Sequence, residues 1–280
     1  MREITCAAIT DAVEKLCIEA AVHLPRDLCA LLEQATENEV SPAGTAALQD
    51  IVRNFKLAAS TGLPICQDTG MAVVFADIGQ DVHITGGLFD DAVNEGVRRG
   101  YRNGYLRKSV VRDPLRRENT QDNTPAVIHI RLVGGEHIRL TVAPKGFGSE
   151  NMSAMRLFLP SDKIDAIEDF IVDTVNKAGS NPCPPVVLGV GLGGTIEQAA
   201  LLSKRGLLRD MDKSNSDAFY ADMEKRVLDK INRLGIGPQG FGGRTTAVKV
   251  NIEAYPTHIA GLPCVVNMSC HATRHAGCVI

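Results

Sequence analysis

From Thr10 onward, stretches with helical spacing alternate with short apolar runs cut off by glycine and proline, which confines the chain to a mixed fold of helices and strands. Over residues 10–37 the apolar positions Val13, Leu16, Cys17, Ala20, Ala21 and Leu24, then Leu28, Leu31 and Leu32, predict two helices broken near Pro25. A third helix is predicted over 44–61, ended by Gly62 and Pro64. Strands are predicted at 71–78, 126–133 and 137–142, with a helix at 90–105 between the first two. Gly134-Gly135-Glu136 joins the second and third strands, which reads as a hairpin. Further helices at 164–178, 195–208 and 223–234 and strands at 186–190, 245–253 and 264–268 complete the pattern. The expected class is α+β (mixed α/β), with a helical N-terminal part packed on a mixed sheet.

Composition narrows the function classes. The formal net charge of -3, the pI near 6.2 and the 4% aromatic content argue against a nucleic-acid partner. One basic stretch, 98–117, holds eight Lys or Arg residues and suits either a solvated helix face and loop or a small polyanion such as a dicarboxylate. The eight cysteines lack the dense spacing of a secreted disulfide framework, so reduced thiols or metal ligands fit better. The N-terminus has no signal-peptide core, and no apolar run reaches the roughly 18 residues of a bilayer span. A cytoplasmic protein without a membrane partner is expected.

Three cysteines lie in turn-forming contexts: Cys66-Gln67-Asp68-Thr69-Gly70, Pro182-Cys183-Pro184-Pro185 and Cys270-His271-Ala272-Thr273-Arg274-His275. Three such loops suit an iron–sulfur cluster with one open iron, or else three unrelated buried thiols. Structural zinc normally shows a C-x-x-C pair, which is missing, although Cys264 or Cys270 with His271 or His275 leaves a Cys-His site open. Gly189-Val190-Gly191-Leu192-Gly193-Gly194 satisfies the dinucleotide fingerprint between a strand and a helix. The segment after that helix, Leu207 to Asp212, turns polar too early to carry a ribose-binding acid. Glycines there would instead bring the backbone close to a bulky inorganic centre. Lys145-Gly146-Phe147-Gly148-Ser149 lacks the Walker A order, but its amides could form a concavity for a carboxylate.

Together these segments, with Leu106-Arg107-Lys108-Ser109, Asn123-Thr124-Pro125-Ala126 and the glycine-rich run 235–246, resemble the alpha subunit of the two-subunit class I fumarate hydratases, oxygen-sensitive 4Fe-4S hydro-lyases. The likeness runs from Pro64 to the C-terminus. It implies that Cys66, Cys183 and Cys270 ligate a 4Fe-4S cluster whose fourth iron binds substrate. Asp68 and His258 would be catalytic, and Arg107, Gln67 and Gly148 would contact the substrate. Residues 1–280 would form one cluster-holding domain. A separate beta subunit, in an α2β2 assembly, would supply the smaller domain with further arginines, a lysine and a threonine. The implied reaction is reversible hydration of fumarate to (S)-malate, a step of the tricarboxylic acid cycle. L(+)-tartrate dehydratase alpha subunits share the cysteine pattern and are the runner-up. A non-catalytic iron–sulfur redox-sensing subunit is the third reading, which Asp68, Arg107 and His258 argue against. Residues 210–215 depart from the family, whose members more often carry a proline-containing turn there.

Overall fold

A computed structural model describes residues 1–280. In chain order the first half contains β1 (Arg2–Thr5), α1 (Cys6–Val22), α2 (Arg26–Asn38), α3 (Pro42–Thr61), β2 (Met71–Gly79), β3 (Val82–Thr85), α4 (Phe89–Asn103), β4 (Val127–Val133) and β5 (Ile138–Lys145). Then come α5 (Phe147–Glu150), β6 (Ala154–Phe158), α6 (Ile164–Ala178), β7 (Val186–Gly193), α7 (Ile196–Gly206), α8 (Ala218–Asn232), β8 (Ala247–Tyr255), β9 (Leu262–Ser269) and β10 (Ala276–Val279). The class is α+β, as expected. By its contacts the chain divides into two compact units, one of Met1–Pro25, Phe55–Phe147 and Arg274–Ile280, the other of Arg26–Asn54 and Gly148–Thr273. No helix is long and apolar enough to cross a membrane.

In the first unit α1 starts at a threonine cap, where Thr5 Oγ1 accepts the Ala8 N–H at 3.2 Å. Its apolar stripe, Ile9, Val13, Leu16, Cys17 and Ala20, is fully or almost fully buried and packs with Val93, Val97 and Tyr101 of α4. The two helices approach closely because α4 presents Gly96 and Gly100. A Cβ on Gly96 would lie 2.6 Å from Val13 Cβ, and one on Gly100 would lie 2.7 Å from Cys17 Cβ.

The four-stranded sheet of this unit has the order β10-β5-β2-β4. This overturns the expected hairpin. β4 pairs with β2 in parallel and β5 pairs with β2 antiparallel, so β2 lies between the two strands that Gly134-Gly135-Glu136 connects. The physical reason lies in β2 itself, which is buried along nearly its whole length and therefore takes a central place. The Gly134-Gly135 turn passes over the end of β2, where Asp81 donates its N–H to the Gly135 carbonyl at 3.0 Å. Gly79 permits that passage, since a Cβ there would stand 2.4 Å from Gly135 O.

The second unit is built on the sheet β6-β9-β7-β8, with β7 parallel to β8 and antiparallel to β9. All eight residues of β7 are buried. Alternation along the strand sends Val186, Leu188, Val190 and Leu192 into the core formed with α6 and α8, where Ile171, Met223, Val227 and Ile231 meet them. Each such fully buried aliphatic side chain contributes about 1.5–3 kcal/mol. The opposite face of β7 carries Val187, Gly189, Gly191 and Gly193.

That opposite face settles the glycine fingerprint. A Cβ on Gly189 would stand 1.9 Å from the Ser203 carbonyl oxygen, and one on Gly191 equally close to that of Ala199, so the backbone of α7 lies directly on β7. Gly193 takes φ +82 and would collide with Tyr255 O at 2.1 Å. The expectation that these glycines make room for an inorganic centre is therefore replaced: they make room for a helix. In the same unit the divergent segment 210–215 buries Met211, whose N–H donates to the Asp27 carboxylate.

Candidate active site

In the first unit the cysteine loop spans the gap between the end of α3 and the start of β2. Ile65 donates its N–H to Ala21 O at 2.9 Å, which fixes the loop to the end of α1. Cys66 is half-buried, Gln67 exposed, Asp68 half-buried, and Thr69 and Gly70 buried. Gly70 (φ +76) is obligatory, because a Cβ there would sit 2.8 Å from three main-chain atoms of Lys145.

Asp68 is the best-held side chain of the loop. Its Oδ1 accepts the Gly70 N–H at 3.0 Å and its Oδ2 accepts the Phe147 N–H at 2.9 Å. A Cβ on Gly146 would come within 3.1 Å of Oδ2, so Lys145-Gly146-Phe147 does cradle a carboxylate, here a protein side chain. The main-chain oxygen of Asp68 accepts from Arg274 Nη2.

The Arg107 segment is tied to the same loop. Thr69 Oγ1 donates to Arg107 O at 2.9 Å. Asn123, fully buried and in the left-handed region at φ +63, donates from Nδ2 to Gly70 O at 3.2 Å. Its Oδ1 accepts the N–H groups of Ser109 and Val110 at 2.7 and 3.2 Å. The Tyr101 hydroxyl lies 2.8 Å from Thr69 O and 3.0 Å from Gly70 O. Burial pushes its ionisation well above the ordinary tyrosine range, so it remains a hydrogen-bond donor. The Arg107 side chain is exposed.

The second unit holds the other two cysteine loops. Cys183 is exposed and takes φ +55, rare for a residue with a side chain, in a turn closed by its N–H donating to Ser180 O at 3.0 Å. Cys270 is half-buried, and its carbonyl accepts the N–H and Oγ1 of Thr273 at 3.0 and 2.8 Å. The two loops are joined: His271 donates its N–H to Cys183 O at 3.4 Å, and its Nδ1 lies 3.0 Å from the same oxygen. Gln239, in the second glycine-rich run and itself at φ +53, donates both its N–H and its Nε2–H to Pro184 O, at 2.9 and 2.7 Å. Its Nε2 also stands 3.2 Å from His271 Nδ1.

The end of the glycine-rich run that carries Gln239 is in turn anchored by Glu39, through Arg244 and Thr245. That carboxylate accepts the N–H groups of Val40, Ser41, Arg244 and Thr245 at 2.8–3.1 Å. Burial alone would raise its pKa, but the amides of Arg244, Ser41, Thr245 and Val40 overcome that and hold it at about 2.

Gly148 lies in an open setting, with Asn181 O, at 3.9 Å, the nearest atom to a Cβ placed on it. Internal packing gives no reason for a glycine there, whereas a ligand approaching the backbone would. Glu150, two residues on, pairs with Lys204 and accepts Asn267 Nδ2 at 3.1 Å. Burial lowers the Lys204 pKa despite that partner.

His258 is exposed in the turn between β8 and β9. Its Nδ1 accepts the Ala260 N–H at 3.2 Å, and Thr257 Oγ1 secures the turn to Gly194 O at 3.0 Å. The structure brings Asp68 together with the Arg107 segment in the first unit, and Cys183 with Cys270 in the second, where the His258 ring bonds only within its own turn. Asn123, Tyr101, Gln239, Glu39 and Arg274 have no assigned role in the sequence reading, and their positions emerge only from long-range bonds.

No disulfide forms among the eight cysteines. No three His, Cys, Asp or Glu side chains form a group that could hold a metal ion, Cys66, Cys183 and Cys270 included. The thiols divide by environment. Burial pushes Cys17 and Cys264 up to about 12, as for inert core thiols; the other six are at least partly accessible, and of these Cys66, Cys183 and Cys270 sit on tight loops while Cys6, Cys29 and Cys278 lie in α1, α2 and β10.

Similarity to known proteins agrees with this arrangement. A chain from Methanocaldococcus jannaschii, provisionally named L(+)-tartrate dehydratase subunit alpha, is 40% identical over 274 residues, covering 96% of each chain. L(+)-tartrate dehydratase subunit alpha from Escherichia coli K12 and that from Shigella boydii serotype 4 are each 27% identical over 269 residues, covering 95% of this chain and 88% of theirs. The sequence profile of the fumarate hydratase (Fumerase) family matches residues 10–279, a span that takes in the Asp68 loop, all three accessible cysteine loops and the Gly148 segment, and the chain belongs to that family.

Proposed function

We propose that this chain is the cluster-holding alpha subunit of an iron–sulfur hydro-lyase that reversibly adds water to fumarate, giving (S)-malate, and that works with a separate beta subunit. The observation that carries the reading is the Asp68 carboxylate, clamped through both oxygens two residues from Cys66. Cys66, Cys183 and Cys270 would hold a 4Fe-4S cluster; the fit rests on their accessibility, their tight loops and the bonds that tie the Cys183 and Cys270 loops together. When bound, such a cluster with one iron free of cysteine supplies a Lewis acid for a carboxylate and a hydroxyl.

The chain's own residues would do the rest. Asp68 takes a proton from the incoming water, or returns it to the departing hydroxyl, and its two amide bonds keep the carboxylate from turning away. Arg107 offers a planar fork to one substrate carboxylate, on a segment that Thr69 and Asn123 keep in register with Asp68. The backbone at Gly148 has room for a ligand, and Gln67 projects from the same loop as Asp68. In His258 the Nδ1 acceptor role places the neutral-ring proton on Nε2, ready for donation. The alpha-subunit names of the relatives support a beta partner.

Those same names favour a second reading, L(+)-tartrate as substrate. Anaerobic reconstitution of the chain with iron and sulfide, together with its partner, separates the two. Fumarate consumption and malate formation support the first reading, and oxaloacetate from L(+)-tartrate the second. Absence of turnover on both acids sinks the hydro-lyase proposal, and full turnover without a second polypeptide sinks the requirement for a beta subunit.

A further inference from the structure

Arg274 stands out among the charged side chains that the mechanism leaves unused. It is 5% exposed, and its Nε and Nη1 are buried without hydrogen-bond partners. Its Nη2 donates to one target, the main-chain oxygen of Asp68. Buried guanidinium groups that serve the fold ordinarily spend their donors on several acceptors, because idle buried donors are costly. Arg209 shows the contrast. Less deeply buried, with 16% of its side chain exposed, it reaches Glu224, Glu253, Asn251 and the Ile252 carbonyl. Arg274, the more deeply buried of the two, has a single bond, and that bond ends on the residue whose carboxylate the proposed reaction uses.

Tyr101 lies in the same neighbourhood. The charges of Arg274 and Asp68 act in opposite senses on the Tyr101 hydroxyl, which itself lies against Thr69 O and Gly70 O. The loop is thus held from three directions: at the Asp68 carboxylate by Gly70 and Phe147, at the carbonyls of Thr69 and Gly70 by Tyr101 and Asn123, and at the Asp68 carbonyl by Arg274. Of these, only Arg274 grips the Asp68 main chain itself. Without that grip the peptide following Asp68 can rotate and carry the carboxylate off its two amides.

We propose that Arg274 is a positioning residue for Asp68, fixing the main chain so that the carboxylate keeps one orientation. The proposal rests on the hydro-lyase reading for its catalytic consequence, but the positioning can be measured without it. Amide hydrogen exchange on the full-length chain reads the two N–H groups that bind the Asp68 carboxylate. In Arg274→Met, exchange at Gly70 and Phe147 should quicken by at least about tenfold while β2 and β7 amides stay as protected as in the wild type. In the reconstituted enzyme with its partner, kcat should fall on the order of 100-fold with KM within about twofold, the mark of a misplaced group rather than a lost binding contact. If Arg274→Met does not fold, Arg274→Gln carries the same two measurements with the same expected directions. Wild-type protection at both amides overturns the proposal, as does a rate loss that falls mainly on KM. A wild-type enzyme idle on both acids overturns the hydro-lyase reading instead, while the exchange result still decides what Arg274 does.

Discussion

Asn123 joins the Asp68 loop to the Arg107 segment: one end of its amide donates to Gly70 O and the other accepts the N–H groups of Ser109 and Val110. The side chain is fully buried, so its loss would strand the Ser109 and Val110 N–H groups, while Gly70 O would keep the Tyr101 hydroxyl. Asn123→Leu should therefore destabilise the chain by about 2–4 kcal/mol, the cost of stranding buried backbone groups, and should lower turnover as well. Urea denaturation checks the first, and kcat/KM of the reconstituted enzyme the second. A wild-type midpoint would remove Asn123 from this role.

Glu39 should make the chain sensitive to acid. Its folded pKa is held at about 2, below the ordinary 4.5, so the stabilisation is fully present above pH 4.5 and fades as pH falls towards 2. The loss in Glu39→Gln at neutral pH should reach up to about 3 kcal/mol, and the gap from wild type should narrow steadily below pH 4.5. Denaturation midpoints at pH 7, 5 and 3 read this directly. A gap that widens on acidification would contradict the sign.

Two glycines should part company when each is replaced by alanine. In Gly191→Ala the new Cβ meets the Ala199 carbonyl at 1.9 Å, and separating α7 from β7 should cost at least about 3 kcal/mol. In Gly148→Ala the new atom finds open space, so stability should change by less than about 0.5 kcal/mol. If substrate approaches the backbone there, kcat/KM should nevertheless drop by roughly tenfold or more. Thermal denaturation and steady-state kinetics on both variants make the comparison.

The thiols should separate into two groups. Serine at Cys66, Cys183 or Cys270 should lower the iron and sulfide retained after anaerobic reconstitution while leaving the folded chain intact. Cys264→Ala should retain wild-type iron and lose about 1 kcal/mol of stability from its buried site. Iron and sulfide analysis of the purified variants is the measurement, and equal retention by all four would count against the cluster.

Much of the fold was legible because long amphipathic segments announce themselves. The helix predicted at 164–178 coincides with α6, and those at 44–61 and 90–105 differ from α3 and α4 by two residues or fewer at each end. β1, β3, β6 and β10, at four or five residues each, are too short for alternation to register. The hairpin reading failed because adjacency in sequence is not adjacency in a sheet, and β2 takes the place between β4 and β5. At the site, the motifs around Cys66, Arg107 and Cys183 could be found by likeness. Asn123, Gln239, Glu39 and Arg274 act through partners far along the chain, and local pattern carries no trace of such bonds.

The place of β2 also sets the order in which the first unit can assemble. β4 and β5 are joined by a short turn yet share no ladder, so the quick local step open to a hairpin is denied to them. Both must pair with a strand made much earlier in the chain, and even in the folded unit β4 is the outer strand of the sheet, with Ile130 and Leu132 exposed. Self-association should therefore be favoured while β4 and β5 are still undocked from β2, and the outer edge of β4 offers an apolar strand to a second chain even afterwards.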